Sequence, residues 1–301
     1  MASLTIRPLE ERDADRAGDV NFVAFHDVAL RHGQPPVVTA PADARSYVRH
    51  LLAFDPLGGS VAELDGEVVG MAWVHVRGPV ATIGPVAVEP RVQGQGIGRR
   101  LVERCIERAG PRVPQIRLVH ESYNSASLGL YLRLGFRVVA PLVELELARG
   151  GRVAAVGSSG ATLRFATDAD RTRVVERDSR AFGAPRPQSV EMYLRRGRTL
   201  LAERGSTLVG YAFGIGLGGL GYLGSASAED GDVLLELLGA LATTLHGERT
   251  ALRTLVPATD RKLVDGLLGI GFGVFRACHY MVRGGGTAPP PNYVLMNGDL
   301  M

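Results

Sequence analysis

The sequence predicts an α+β chain of two tandem domains, each a mixed, mostly antiparallel sheet flanked by helices. Three observations carry this expectation. First, three blocks recur in the same order in both halves: 4-LTIRPLEERDADR-16 returns as 162-TLRFATDADR-171, 61-VAELDGEVVGMAWV-74 as 201-LAERGSTLVGYAFG-214, and 118-LVHESYNSASLGLYLRLGF-136 as 255-LVPATDRKLVDGLLGIGF-272. One such match is within reach of chance; an ordered set points to duplication. Second, the middle block reads as strand, tight polar turn at Gly66 or Gly205, and strand, which is a β-hairpin, while the outer blocks join strand ends to helices. Third, 148-ARGGRVAAVGSSGA-161 is rich in Gly, Ser and Ala and reads as a flexible linker. The expected division is therefore residues 1–149, a linker at 150–160, and residues 161–301.

In the first half, a strand at about 4–8 leads to a helix from Asp13, with Val20, Val23, Ala24 and Val28 on one face. A Gly/Pro loop at 32–36 and a helix around 42–53 follow. The hairpin covers 61–77, and a strand over 80–88 is interrupted at Gly84-Pro85. A helix carrying Ile97, Leu101, Val102, Cys105 and Ile106 stops at Gly110-Pro111. Then come a strand at 115–121, a helix to Leu134, and two closing strands separated near Pro141. In the second half a helix has Val233, Leu234, Leu237, Leu238, Leu241 and Leu245 on one face, and 293-YVLM-296 reads as a short apolar strand completing the second sheet.

Composition narrows the function classes. A hydrophobic fraction of 46% with 22% charged residues describes a soluble globular chain, and a net charge of +3 without a Lys/Arg block argues against nucleic acid. The N-terminal stretch MASLTIRPLEERDADR has no apolar core for a signal peptide, and no apolar run approaches a membrane span. Cys105 and Cys278 share no motif spacing and read as buried thiols in a reducing cytosol, so a cytoplasmic location is expected and no metal site is.

The chemistry-bearing stretch is 88-VEPRVQGQGIGRRLVERC-105, with glycines at 94, 96 and 98 immediately before an amphipathic helix. Glycines cost backbone entropy when ordered, so a cluster at a helix entrance needs a cause. A strand ending in such a loop gathers unpaired N–H groups at the positive end of a helix dipole, which suits an anion, most often a phosphate. A Walker loop is excluded because no Gly-Lys-Ser/Thr follows. A Rossmann fingerprint is excluded because its sixth position is Arg99 and the loop follows a hairpin. The remaining pattern, R/Q-x-x-G-x-G/A, is met by Arg91, Gly94 and Gly96. A structural turn before a core helix stays open as the alternative.

The run 124-NSASLGLYLRLGF-136 fits N-x-x-A/S-x-x-L/F-Y-x-x-x-G-F. With the glycine loop upstream, residues 3–148 resemble the GNAT superfamily of acetyl-CoA-dependent N-acetyltransferases. The resemblance implies a fold in which the fourth and fifth strands splay apart around a pantetheine arm. It implies that Val86, Ala87 and Val88 bind pantetheine through their backbone, with the family's bulge at Gly84-Pro85. The pyrophosphate would meet the N–H groups of Gln93, Gly94, Gln95, Gly96, Ile97, Gly98 and Arg99. Asn124 would contact the cofactor arm, and Tyr131 would protonate the departing CoA thiolate. A base is also expected; Glu121 is favoured over its neighbour His120, since only one of two adjacent strand residues faces a cleft, and over His75. Plainer roles fit some of these residues too: Asn124 as a helix N-cap, Tyr131 and Trp73 as core aromatics, and Arg99 and Arg100 as a solvated first turn.

The second half keeps the helix but not the loop. In 221-GYLGSASAEDGDVLLELLGALA-242, Glu229, Asp230 and Asp232 crowd the helix entrance, where they favour folding but repel a pyrophosphate. Counting from the Gly-Phe pairs, Tyr131 corresponds to Leu267, Asn124 to Asp260, and Glu121 to Pro257, or to Ala258 if aligned from the strand. The second domain is expected to be a degenerate copy without a cofactor site. The expected activity is acetyl transfer from acetyl-CoA to a primary amine, most simply of a small molecule, by a monomer or homodimer that binds neither nucleic acid nor membrane. A protein N-acetyltransferase, or a non-catalytic CoA-binding sensor or interaction protein, is the alternative.

Overall fold

The computed structural model describes residues 3–217, 220–247 and 251–296. The chain forms two compact units. The first runs in the order β1 (Leu4–Pro8), α1 (Ala14–Arg31), α2 (Pro41–Phe54), β2 (Gly59–Leu64), β3 (Glu67–Arg77), β4 (Val80–Val88), α3 (Ile97–Ala109), β5 (Gln115–Glu121) and α4 (Ser125–Arg133), and then enters β6 (Phe136–Leu147). Its sheet has the order β1-β2-β3-β4-β5, antiparallel except for the β4–β5 pair.

Local sequence explains most of these elements. Asp65 and Gly66 both take positive φ (50° and 85°), the two-residue turn that an Asp-Gly pair favours, and they place Leu64 opposite Glu67. Along β4, Ala81 and Ile83 face α3, where Ile97, Leu101, Val102 and Cys105 present one buried stripe. On α1, Val20, Ala24 and Val28 are buried as their spacing predicts, whereas Val23 turns out to solvent.

The second unit repeats the plan: β7 (Thr162–Phe165), α5 (Arg171–Phe182), α6 (Pro187–Arg196), β8 (Arg198–Arg204), β9 (Thr207–Leu217), β10 (Leu220–Ala228), α7 (Gly231–Leu245), β11 (Ala251–Pro257), α8 (Arg261–Gly269), β12 (Gly273–Gly284) and β13 (Tyr293–Val294). Its core gathers α7 around Leu234, Leu237, Leu238 and Leu241. Both units open with the same ion pairs. Arg7 binds Asp13 and Glu63, and Arg164 binds Asp170 and Glu203, with every closest contact between 2.7 and 2.8 Å.

The compact units are not coextensive with the two halves of the sequence. The first unit ends at Arg137 and is completed by Met281–Gly286; the second begins at Val138. In the first unit, Met281 lies in the core, Arg283 donates to the Leu134 carbonyl at 3.0 Å, and Gly285 N–H donates to Pro114 O at 2.9 Å. In the second, residues Leu142–Leu147 of β6 pair antiparallel with β11, and Leu145 and Leu147 join the core. The two closing strands expected around Pro141 are therefore one continuous strand. Pro141 is tolerated there because it lacks only a donor; its carbonyl still accepts Ala258 N–H at 3.0 Å. Segment 150–160 has no helix or strand, but it is docked on the second unit. Val153 and Val156 pack on its core, and Ser159 N–H donates to Glu236 at 2.8 Å. No described helix is long and apolar enough to cross a membrane.

Candidate active site

Parallel pairing of β4 with β5 covers only Val80–Thr82 against Gln115–Arg117. Beyond Thr82 the two strands separate. The cause sits on the other side of β4, where a register shift leaves Gly84 and Pro85 opposite the single residue Trp73. Such a bulge bends the strand that carries it. Pairing with β3 then resumes at Val86↔Ala72, Ala87↔Met71 and Val88↔Gly70, and Glu89 N–H donates to Val69 O at 2.9 Å. Antiparallel pairs alternate between bonded and non-bonded, so this parity turns the N–H and C=O groups of Val86 and Val88 away from β3, into the gap. The Val88 carbonyl accepts from Gln93 Nε2 at 2.9 Å, and Gln93 Oε1 accepts from Arg31 at 3.3 Å.

The gap leads to the glycine loop. Gly94 and Gly96 have φ of +80° and +83°, with open space where a Cβ would stand. Their need for glycine is set by left-handed backbone rather than by crowding. Gly96 is the N-cap of α3, makes no side-chain cap bond, and is followed by a first turn without an acidic residue. The N–H groups of Ile97, Gly98 and Arg99 thus stand at a positive helix end that no carboxylate of its own first turn neutralises. A Cβ at Gly98 would meet Leu130 and Val88 at ordinary contact distances of 3.7 and 3.8 Å. The flanking arginine side chains are engaged elsewhere. Arg91 pairs with Glu67 (2.7 Å) and Glu89 (2.5 Å), and Arg99 with Glu103 (2.8 Å). An open strand edge running into a bare helix terminus fits an extended, amide-bearing ligand that ends in an anion.

β5 has a strict burial alternation that puts Ile116, Leu118 and His120 on one face and Arg117 and Glu121 on the other. Tyr131, on α4, shares the face of His120: the rings meet edge-on with centroids 5.9 Å apart, and Phe136 flanks Tyr131 at 5.8 Å. His120 is buried, and its Nε2 lies 2.9 Å from Ser127 Oγ and 3.0 Å from Asn124 O. Asn124 caps α4 through its side-chain oxygen, which accepts Ser127 N–H at 3.2 Å. Glu121 accepts the Tyr123 hydroxyl at 2.5 Å, and the Tyr123 ring lies beside His32 of the residue after α1. The structure therefore separates the candidates that sequence left adjacent: His120 joins Tyr131, and Glu121 lies across the sheet.

His75 is buried on β3, with Nδ1 2.8 Å from Asp55, which Arg77 also contacts at 3.2 Å. Burial opposes ionisation of Asp55, but the hydrogen bond and charge of His75, together with Arg77, hold its carboxyl below the usual range. Neither Asp55 nor Tyr123 stands out in the sequence, because each matters only through a partner that the fold brings to it. Cys105 is buried, and burial pushes its thiol up to about 12, which suits a core residue rather than a nucleophile. Among the described residues, no group of His, Cys, Asp and Glu could hold a metal ion.

In the second unit the same positions carry different chemistry. Strand pairing aligns Thr82↔Arg117 with Tyr222↔Arg253, which puts Pro257 at the place of Glu121. Asp260 caps α8 as Asn124 caps α4, and Leu267 is buried where Tyr131 would be. Asp230 caps α7 with its own carboxylate.

Comparison with known proteins is consistent with this geometry. The sequence profile of the acetyltransferase (GNAT) family matches residues 28–136. An uncharacterised N-acetyltransferase of Archaeoglobus fulgidus is 33% identical over 108 residues, covering 34% of this chain and 74% of that protein. A mycothiol acetyltransferase of Acidothermus cellulolyticus is 32% identical over 123 residues, 35% of this chain and 37% of the relative. That of Amycolatopsis mediterranei is 37% identical over 135 residues, 42% and 43% of the two chains. The match thus spans less than half of these mycothiol acetyltransferases. Among solved structures, a Pyrococcus horikoshii protein is similar over 99% of this chain and 94% of its own (TM-score 0.78, 21% identity). A tandem GNAT protein from the clavulanic acid biosynthesis pathway is similar over 96% and 100% (TM-score 0.61, 15% identity).

Proposed function

Because the chain belongs to the acetyltransferase (GNAT) family, we propose that its first unit transfers an acetyl group from acetyl-CoA to a primary amine. The observation that carries this reading is the edge of β4 from Val86 to Val88, which β5 does not pair and which is continuous with the N-terminus of α3, whose first turn has no acidic residue. Acetyl-CoA supplies the activated acyl group as a thioester. The backbone of Val86 and Val88 would hold the pantetheine amides as an added strand would be held, and the N–H groups from Gln93 to Arg99 would receive the pyrophosphate. A backbone N–H on this edge would polarise the thioester carbonyl toward the attacking amine. As the new C–N bond forms and the C–S bond breaks, Tyr131 would give its phenolic proton to the departing sulfur. Glu121, at the end of β5 on the opposite face, would take the proton that the amine sheds. Asn124 would add its amide NH2, which the cap does not use, to the cofactor arm.

The acceptor is proposed to be a small molecule, in line with the mycothiol acetyltransferases among the relatives. Oligomeric state is proposed as monomer or homodimer, and the location as cytoplasmic. The test is a panel of amines assayed for release of free CoA thiol, with the wild type and Tyr131→Phe. Tyr131→Phe is expected to lower kcat by roughly 10²–10⁴-fold while acetyl-CoA binding, read by calorimetry, stays unchanged. If neither protein releases thiol with any amine of the panel, a CoA sensor is favoured.

A further inference from the structure

In the second unit the splay between the fourth and fifth strands recurs. Parallel pairing of β10 with β11 ends at Leu223↔Thr254, and the β9–β10 register shifts between Leu223 and Ala226. Glu229 N–H donates to Val209 O at 2.9 Å, as Glu89 does to Val69 in the first unit. The same parity therefore turns the backbone of Ala226 and Ala228 into the gap. Here the gap is filled by the chain itself. β13 pairs antiparallel with β10, Val294 opposite Ala226 and Tyr293 opposite Ser227. Ala228 N–H donates to Asn292 O at 3.2 Å, and Asn292 Nδ2 donates to Glu229 O at 3.2 Å. On the other side, Leu295 N–H donates to Leu255 O on β11 at 3.0 Å.

The fit is built from both partners. Tyr293, Val294, Leu295 and Met296 are all 5% exposed or less, and Val294 belongs to the unit's core. The Tyr293 hydroxyl accepts from Ser225 Oγ at 2.7 Å. Gly224 has φ +137°, and a Cβ there would stand 2.4 Å from Leu295 O, so only glycine lets the segment approach. The helix entrance is closed as well. Asp230 Oδ1 accepts the N–H groups of Asp232 and Val233 at 3.0 and 2.9 Å, and Arg204 contacts its other oxygen at 3.1 Å. The bond from Val233 and the Arg204 contact keep this carboxylate below its usual range despite some burial.

We propose that the slot of the second unit is a peptide-strand site whose ligand is the chain's own segment Asn292–Met296, in the place where the first unit offers an edge to acyl-CoA. The segment recognises the slot by main-chain pairing on both sides and by apolar side chains below, the mode by which strands are added to open edges. Its tether gives it an effective concentration on the order of millimolar, against which a soluble CoA must compete. The Asp230 carboxylate adds repulsion toward a pyrophosphate.

Hydrogen–deuterium exchange of the full chain, with and without saturating acetyl-CoA, tests this. Amides 226–229, 232–233 and 292–295 are expected to be protected already and to stay unchanged. Loss of protection at 292–295 together with any change at 226–228 would mean that CoA displaces the strand, and would overturn the proposal. The first unit is read separately, from amides 86–99, so failure of its proposed binding leaves this result interpretable. A chain stopping at Pro291 gives the second arm. Exchange at 226–228 should rise roughly tenfold or more and should be restored by a synthetic peptide of residues 289–301, not by acetyl-CoA. If that chain does not fold unaided, folding rescued by the peptide and not by acetyl-CoA is the expected outcome. Restoration by acetyl-CoA, or protection at 226–228 unaffected by the truncation, would refute it.

Discussion

Gly96 and Gly98 lie two residues apart at the entrance of α3, yet they answer to different constraints. Gly96 has left-handed backbone and open space around it, whereas Gly98 has helical backbone and ordinary neighbours. Gly96→Ala is therefore expected to cost about 1–2 kcal/mol of stability and to raise KM for acetyl-CoA, because relaxing the backbone moves the N–H groups of the first turn. Gly98→Ala should leave stability unchanged or raise it by about 0.5–1 kcal/mol. Chemical denaturation and steady-state kinetics on the two variants check the contrast; equal stability losses at both positions would contradict it. A base on the Glu121 face can be examined by the same kinetics. Glu121→Gln should lower kcat by roughly 10²-fold or more with KM for acetyl-CoA unchanged, while a comparable loss in His120→Ala alone would move the role across the sheet to the Tyr131 side.

At the scale of elements, the repeated entrance of α1 and α5 ties fold to pH. In each copy an aspartate accepts the backbone N–H three residues before it, at 2.9 Å, and two nitrogens of an arginine from the preceding strand. The arginine hydrogen bonds outweigh burial and hold both Asp13 and Asp170 below the ordinary aspartate range. A depressed folded pKa contributes stability that is fully present above the unfolded value of about 3.9 and is lost as pH falls through the folded value. Stability should therefore fall below about pH 4. Asp170→Asn should flatten that slope while costing about 1–3 kcal/mol at pH 7; urea titrations at both pH values measure it. These entrances were legible in the sequence as a repeated Asp-Ala-Asp-Arg, though two residues out of register: the aspartate that binds the arginine is the first residue of 13–16 and the third of 168–171. So were the glycine loop, the Asp-Gly hairpin and the stripe on α3, all set by residues a few positions apart. The Asp55–His75 contact and the orientation of Glu121 were not, since their partners come from separate elements or from a side-chain direction that only the register of β5 decides.

The largest departure from the sequence reading occurs at the scale of the whole molecule, and it has a physical reason. Residues 136–147 and 273–284 each form one long strand, but strand pairing is non-local, and duplicated halves offer each strand two nearly equivalent partners. The chain uses both: β6 ends in the second unit and β12 ends in the first. A first unit cut at the Gly-rich segment 150–160 is consequently expected not to be self-sufficient. Residues 1–149 alone lack Met281, which is fully buried in the first core, and lack the bonds of Arg283 to Leu134 and Gly285 to Pro114. They also carry Leu142–Leu147 with its pairing strand β11 missing, an open edge that invites association. Expressed alone, residues 1–149 are thus expected to aggregate or to melt well below the corresponding transition of the full chain. In the full chain, Met281→Ala should destabilise the first unit by about 2–5 kcal/mol, although the residue lies in the second half of the sequence. Fusing residues 281–286 through a flexible linker after Arg137 should recover a monomeric first unit, since it restores the missing core residue and removes the exposed edge together. Size-exclusion chromatography and thermal melts of the two truncated chains distinguish the cases; a monomeric 1–149 as stable as the fused version would show that the strand exchange contributes nothing to the first unit.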